Sequence, residues 1–242
     1  MMFDLEHHQK ILTILNALDA DFCRDVSAYF GGGTLLALQY GEYRWSKDID
    51  FICPLGAGYR KLRTDMAEKG YAALFKDQSG IGLPREFKAD QYGVRFAVVV
   101  GDTLIKFEMV AEARIALDAP VYPEWCALPC LGFADSCSEK LLSNADRWAD
   151  AGVRSRDLID LAVLRLQAEI PALAIDKAEN AYPVKLPLFK ALTRFQSNPD
   201  YRRQCFTALQ VKSSAQIMDG IDLLAADYAL PPSVRTLSES IA

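Results

Sequence analysis

The chain has 242 residues, enough to bury a substantial core, and its 51% hydrophobic and 24% charged content is ordinary for a globular protein. No apolar run approaches the roughly 20 residues of a membrane helix, and Met1 to Lys10 lacks a basic segment leading into an apolar stretch, so neither a membrane span nor a secretory leader is expected and the location expected is cytoplasmic. A formal net charge of -5 argues against a protein enveloped by nucleic acid, because phosphate neutralisation needs clustered cations.

In chain order, Leu5 to Phe22 spaces its leucines and isoleucines on one face and predicts an amphipathic helix. Val26 to Phe30 predicts a short strand running into Gly31-Gly32-Gly33, and Thr34 to Tyr40 returns to helix-forming residues. Asp48 to Cys53 alternates acid and apolar side chains, the period of a strand with one polar face, and Pro54 stops it. Ala57 to Lys69 predicts a helix ended by Gly70, and Tyr71 to Phe75 predicts a strand. Val94 to Val100 and Thr103 to Val110 predict a hairpin whose Gly101-Asp102 order fits a type II′ turn. From about Asp135 the spacing becomes helical, with helices around Leu186 to Phe195 and Ile217 to Tyr228 among them, punctuated by prolines.

The fold class expected is therefore α+β, a mixed sheet with flanking helices followed by a helical C-terminal domain, with residues 1–130 as the first part and 131–242 as the second. Six cysteines without CxxC spacing are expected to be reduced and mostly buried. Between Lys185 and Lys212, Lys190, Arg194, Arg202 and Arg203 face a single acid, Asp200, so the stretch reads either as a solvated helix face or as a nucleic-acid contact.

Three features bear on chemistry. The glycine triplet opening a helix leaves free amides pointing at a site suited to an anion, although such triplets more often serve tight turns. Asp48 and Asp50, two apart in a strand, project from one face; like charges about 4 Å apart repel by about 4 kcal/mol at an effective dielectric near 20, a cost that a divalent cation relieves. The alternative is two unremarkable acids on a wet strand edge. Glu108, on the strand Thr103 to Val110, offers a third carboxylate or else simply pairs with Lys106.

Taken together, Gly32-Gly33-Thr34, then Arg44, Ser46 and Asp48-Ile49-Asp50-Phe51, resemble the nucleotidyltransferase superfamily and more closely the AbiEii/AbiGii toxin family, with its GGT-plus-helix and R-x-S-x-D-I/L-D-F segments. Glu139-Lys140-Leu141-Leu142, Asp146-Arg147 and Arg156-Asp157-Leu158 with Asp160 and Leu161 resemble that family's lysine helix and its R/K-D-x-x-D-L helix, so the likeness spans residues 28 to 166. The resemblance implies a nucleotidyltransferase that moves NMP from an NTP to a hydroxyl acceptor and releases pyrophosphate. It places Gly32, Gly33, Thr34 and Ser46 at the triphosphate, with Arg44 either contacting phosphate or bracing the loop. Magnesium, or manganese in its place, falls to Asp48, Asp50 and Glu108; Lys140 would neutralise the triphosphate and Asp157 orient a basic or base-reading group on the same helix. It also implies an RNA acceptor, the tRNA 3′ end first, and a cognate antitoxin as partner. A catalytically silent nucleotide-binding module, and transfer to a small molecule or protein, are the alternatives.

Overall fold

A computed structural model describes residues 3–240 and divides them into two compact units. The first comprises residues up to Glu42 and Ser46–Gly132; the second comprises Tyr43–Trp45 and the chain from Phe133 onward.

The first unit opens with α1 (Glu6–Ala17) and α2 (Ala20–Asp25) rather than one helix from Leu5 to Phe22. Leu18 leaves the helix in an extended conformation, and the Asp19 carboxylate starts a new one by accepting from the Phe22 amide. There follow β1 (Tyr29–Gly31), α3 (Gly32–Gln39), β2 (Ile49–Pro54), α4 (Ala57–Lys69), β3 (Lys88–Ala89), β4 (Gly93–Val100) and β5 (Thr103–Glu112). Tyr71 to Phe75 is not a strand: Gly70–Ala73 forms a 3₁₀ turn, and the Tyr71 ring packs edge-on against Phe87 and Phe96 while its hydroxyl donates to the Arg85 carbonyl. An apolar run this short does not encode its own backbone state. The β4–β5 turn forms as expected, with Gly101 at φ +61°, the left-handed value a type II′ turn requires at its first central position.

The sheet order is β1-β2-β5-β4-β3, antiparallel throughout except for the parallel β2–β5 pair. A phenylalanine ladder sets its register. Phe30, Phe51, Phe107 and Phe96, on β1, β2, β5 and β4, stack in sequence at centroid separations of 5.5, 5.4 and 4.6 Å. All four lie in the core, each such contact contributing about 0.5–1.5 kcal/mol beyond area burial. Because side chains alternate across a sheet, burying these rings on one face forces Asp50, its β5 neighbour Glu108 and that residue's β4 neighbour Arg95 onto the other.

The second unit is helical: α5 (Phe133–Arg147), α6 (Arg156–Gln167), α7 (Ala172–Ala181), α8 (Lys185–Ser197), α9 (Pro199–Ala208) and α10 (Ser214–Asp227). The mixed sheet with flanking helices and the helical C-terminal region are the architecture expected from the sequence. Arg202 on α9 is fully buried, its guanidinium donating to the Glu239 carboxylate and to the carbonyls of Phe195, Gln196 and Val234, which pins the C-terminal segment. All six cysteines are free and buried. Burial pushes the Cys23, Cys53 and Cys137 thiols up to about 12, so they are un-ionised packing groups. Among the described residues no helix is long and apolar enough to cross a membrane.

Candidate active site

The glycine turn and the acid pair meet in the first unit. Gly31 on β1 pairs with Asp50 on β2, and the next residue, Gly32, adopts φ +68° as it begins α3. A side chain on Gly32 would place its Cβ 2.7 Å from Oδ2 and 2.9 Å from Cβ of Asp50. The Asp50 carboxylate therefore packs directly on the glycine backbone, and only a residue without Cβ allows both. No side chain caps α3 and no acid lies in its first turn, leaving the helix-start amides and positive dipole end available to an anion.

Asp48 stands just before β2. The intervening Ile49 and the following Phe51 are fully buried, whereas Asp48 and Asp50 are both half-buried on the opposite side. Thr34, expected at the phosphates, is itself buried, and its hydroxyl is turned to the Asp48 carbonyl and, at 2.8 Å, to the Ser46 hydroxyl. It holds the Ser46–Asp48 segment against α3. Sequence reading missed a second clamp on that segment, made by the only two histidines of the chain. His7 Nε2 lies 3.1 Å from the Lys47 carbonyl, and the fully buried His8 places Nε2 3.0 Å from the Ser46 carbonyl and Nδ1 2.7 Å from Glu42. Glu42 also accepts from the Asp4 and Leu5 amides at the head of α1. Burial pushes the His8 imidazole below its usual range, outweighing the upward pull of Glu42. Burial alone would raise the Glu42 carboxyl, but the Asp4 and Leu5 amides and His8 bring it below the ordinary value. Neither a histidine pair nor a glutamate after Gly41 advertises such a role in sequence.

Glu108 is the register partner of Asp50, yet its carboxylate is engaged by Arg95 at 3.1 Å and Lys106 at 2.5 Å, the pairing that the sequence left open. Among the described residues no three acid, histidine or cysteine side chains are grouped closely enough to hold an ion. Asp48 and Asp50, two half-buried carboxylates of the hard-oxygen type, are the residues that would hold a metal here, while Glu108 is already engaged by two cations. That donor set suits magnesium, which usually keeps several waters and binds through one or two carboxylates plus substrate phosphates.

Three residues that the resemblance places at the nucleotide are committed to one another in the second unit. Arg44 is buried, donating from Nε and Nη2 to both oxygens of Asp160 at 2.6 and 2.9 Å and from Nη1 to the Trp45 carbonyl. Asp160 also accepts from the Tyr43 hydroxyl and ion-pairs with Lys140 at 2.7 Å. Lys140 reaches Asp157 at 3.2 Å as well, and Arg147 grips Asp157 through Nε and Nη2. Burial would raise the Asp160 carboxyl, but Arg44 and Lys140 hold it well below the carboxylate range. Asp157 is lowered likewise by Lys140 and Arg147 against its own burial. Arg44 is thus held between Asp160 and the Trp45 carbonyl. Asp160, present in the motif but given no task, is the hub.

The sequence model of the nucleotidyl transferase AbiEii toxin, from type IV toxin–antitoxin systems, matches residues 14–204, well over half the chain. The chain belongs to the AbiEii toxin family. It is accordingly a nucleotidyltransferase, and AbiEii membership brings with it an NTP substrate and a cognate antitoxin. Two solved structures share its fold. A candidate nucleotidyltransferase from H. pylori aligns at a TM-score of 0.52 and 18% identity, covering 94% of this chain and 95% of that one. JHP933 from Helicobacter pylori aligns at 0.50 and 18%, covering 99% and 88%. No curated protein sequence matches the chain. The AbiEii match includes both the glycine turn with its acid pair and the Arg44–Asp160–Lys140 hub.

Gly32→Ala offers a direct probe of the turn. The substitution meets both the Asp50 carboxylate and a left-handed φ, strain of about 1–3 kcal/mol, and is expected to lower nucleotidyl transfer at least tenfold. Gly41→Ala is the control: its φ is also positive, +74°, but nothing lies within 4 Å of the added carbon. Transfer rates that fall equally in both variants would assign the loss to backbone strain rather than to displacement of Asp50.

Proposed function

We propose that this AbiEii-family enzyme transfers NMP from an NTP to a hydroxyl of RNA, the tRNA 3′ end being the leading acceptor, with Asp48 and Asp50 binding the magnesium of the NTP. One observation carries the reading: the Asp50 carboxylate lies against the glycine backbone that opens an uncapped helix, so anion-seeking amides and cation-seeking oxygens adjoin. A triphosphate with its divalent counterion satisfies both at once. The amides of the Gly32–Gly33 turn bind phosphate oxygens, Thr34 and Ser46 hold the Asp48 segment in place, and the acceptor hydroxyl is oriented toward the α-phosphorus by contacts outside this turn. When bound, the metal supplies charge neutralisation at the transferring phosphoryl group and the departing pyrophosphate. Arg44, Lys140 and Asp157 act as the internal brace of the helical unit. The RNA acceptor is supported by the family resemblance.

The nucleotide-binding module without turnover is favoured by one observation, that Glu108 and Lys140 are already neutralised by their own neighbours. Incubating the protein with total RNA, magnesium and each of the four NTPs labelled at the α-phosphate separates the two. Label is expected in RNA of tRNA size with at least one NTP. Tight NTP binding with no labelled product of any kind would replace the enzyme reading with the module.

A further inference from the structure

A cavity lies wholly within the helical unit, and we propose that it holds one nucleotide of a single-stranded RNA, the acceptor strand; this rests on the RNA-acceptor reading above. Its volume is about 320 Å³, within the roughly 300–1,000 Å³ of ligand sites. Helix α9 contributes Arg203, Phe206 and Thr207, the turn after it Gln210 and Lys212, and the C-terminal segment Ser238.

The electrostatics select an anion. Arg203 and Lys212 are both exposed cations. The one carboxylate among the lining residues, Glu239, is consumed by Arg202 at 2.7 and 2.9 Å and by the Thr236 amide at 2.8 Å, and these contacts hold it down to about 2 despite its burial. Among the described lining residues no uncompensated negative charge therefore opposes a phosphate. Arg203 does share a pair with Asp200 at 3.2 Å, but both groups are more than two-thirds exposed, so water and salt screen it and a phosphate can displace it.

The rest of the lining selects a nucleotide over a bare anion. Phe206 is half-buried and held edge-on by Phe195 at 5.8 Å, so an ordered aromatic ring faces the cavity, the kind of surface on which bases of unpaired strands stack. Thr207, Gln210 and Ser238 add neutral hydrogen-bonding groups suited to ribose and base edges. A cation pair beside an aromatic platform is the arrangement used for single strands rather than for reading a duplex groove. Arg202 is buried in its ion pair and Arg194 lies 4.4 Å over the Tyr201 ring, whereas Arg203 and Lys212 are the cations that line the cavity. Of the lining residues, Phe206 to Glu239 lie beyond the last residue of the family match.

The test uses the full chain and a fluorescein-labelled 12-nucleotide RNA of mixed sequence, read by anisotropy across a salt series. The double variant Arg203→Glu/Lys212→Glu is expected to bind at least tenfold more weakly and with a shallower salt dependence, by roughly 0.7 in logarithmic slope per lost phosphate contact. Its affinity for magnesium–NTP in calorimetry is expected to be unchanged, and Arg203→Lys/Lys212→Arg to keep RNA binding. Unaltered RNA affinity in the charge-reversed variant overturns the proposal, as does competition by UMP as effective, per mole, as that by the unlabelled RNA, which would make this a free-nucleotide pocket. Label transfer assayed in parallel distinguishes the two readings. Wild-type protein that labels no RNA while the variant loses RNA binding removes the acceptor role and supports the cavity as an RNA site. Wild-type and variant proteins that label RNA equally well, with equal KM, remove the cavity and keep the acceptor.

Discussion

Asp50→Asn is expected to lower nucleotidyl transfer by about a thousandfold or more, roughly 4 kcal/mol of transition-state stabilisation, and Asp48→Asn to do the same. Stability should hardly move. Both carboxylates are half-buried on the polar side of β2, and the phenylalanine ladder on the opposite face is untouched by either change. The diagnostic result is thus a large loss of labelled RNA from α-labelled NTP together with a melting temperature close to that of wild type. Activity within a few-fold of wild type would dismiss the acid pair as the metal site. A melting temperature lowered by many degrees would show that the carboxylates serve the fold instead.

Asp160→Asn is expected to have the largest effect on stability, about 3–5 kcal/mol, because it leaves the buried Arg44 guanidinium facing a neutral amide and Lys140 with only Asp157 as its counter-charge. Against a total of roughly 5–15 kcal/mol, that is enough to unfold a marginal domain at physiological temperature. Urea denaturation at pH 7 measures it. Arg44→Met in the Asp160→Asn background should cost clearly less than the sum of the two single changes, since the second removes a charge that the first has stranded. Additive costs would mean that the two side chains do not act as a pair. The sign with pH follows from the direction of the shift: a carboxyl held below its unfolded value stabilises the native state above the ordinary aspartate range and loses that contribution as pH falls through the depressed value. The hub should consequently persist through mild acid.

What could be read from the residues divides along physical lines. β2, α4 with its terminal Gly70 and the β4–β5 hairpin were legible because each is specified locally, by alternation, by helical spacing or by a turn residue that few others replace. The break at Leu18–Asp19 was not, because a leucine at the right helical spacing hides an aspartate that caps a new helix. α7 and α9 escaped because their buried faces are short, with only two or three buried positions each. At the site, spacing identified the glycine turn and the acid pair. It was silent on what each polar group faces: Thr34 toward a backbone carbonyl, Glu108 toward Arg95 and Lys106, Lys140 toward two aspartates. Partners far apart in the chain leave no periodic trace, and the His8–Glu42 clamp illustrates the same limit.

Arg44 and Asp160 stand 116 residues apart in the chain. A ribosome must therefore complete most of the polypeptide before the arginine preceding the acid pair finds its counter-charge, and contacts of such long range are slow to form. A product cut short before residue 160 carries Arg44 without its counter-charge, so it lacks the hub altogether.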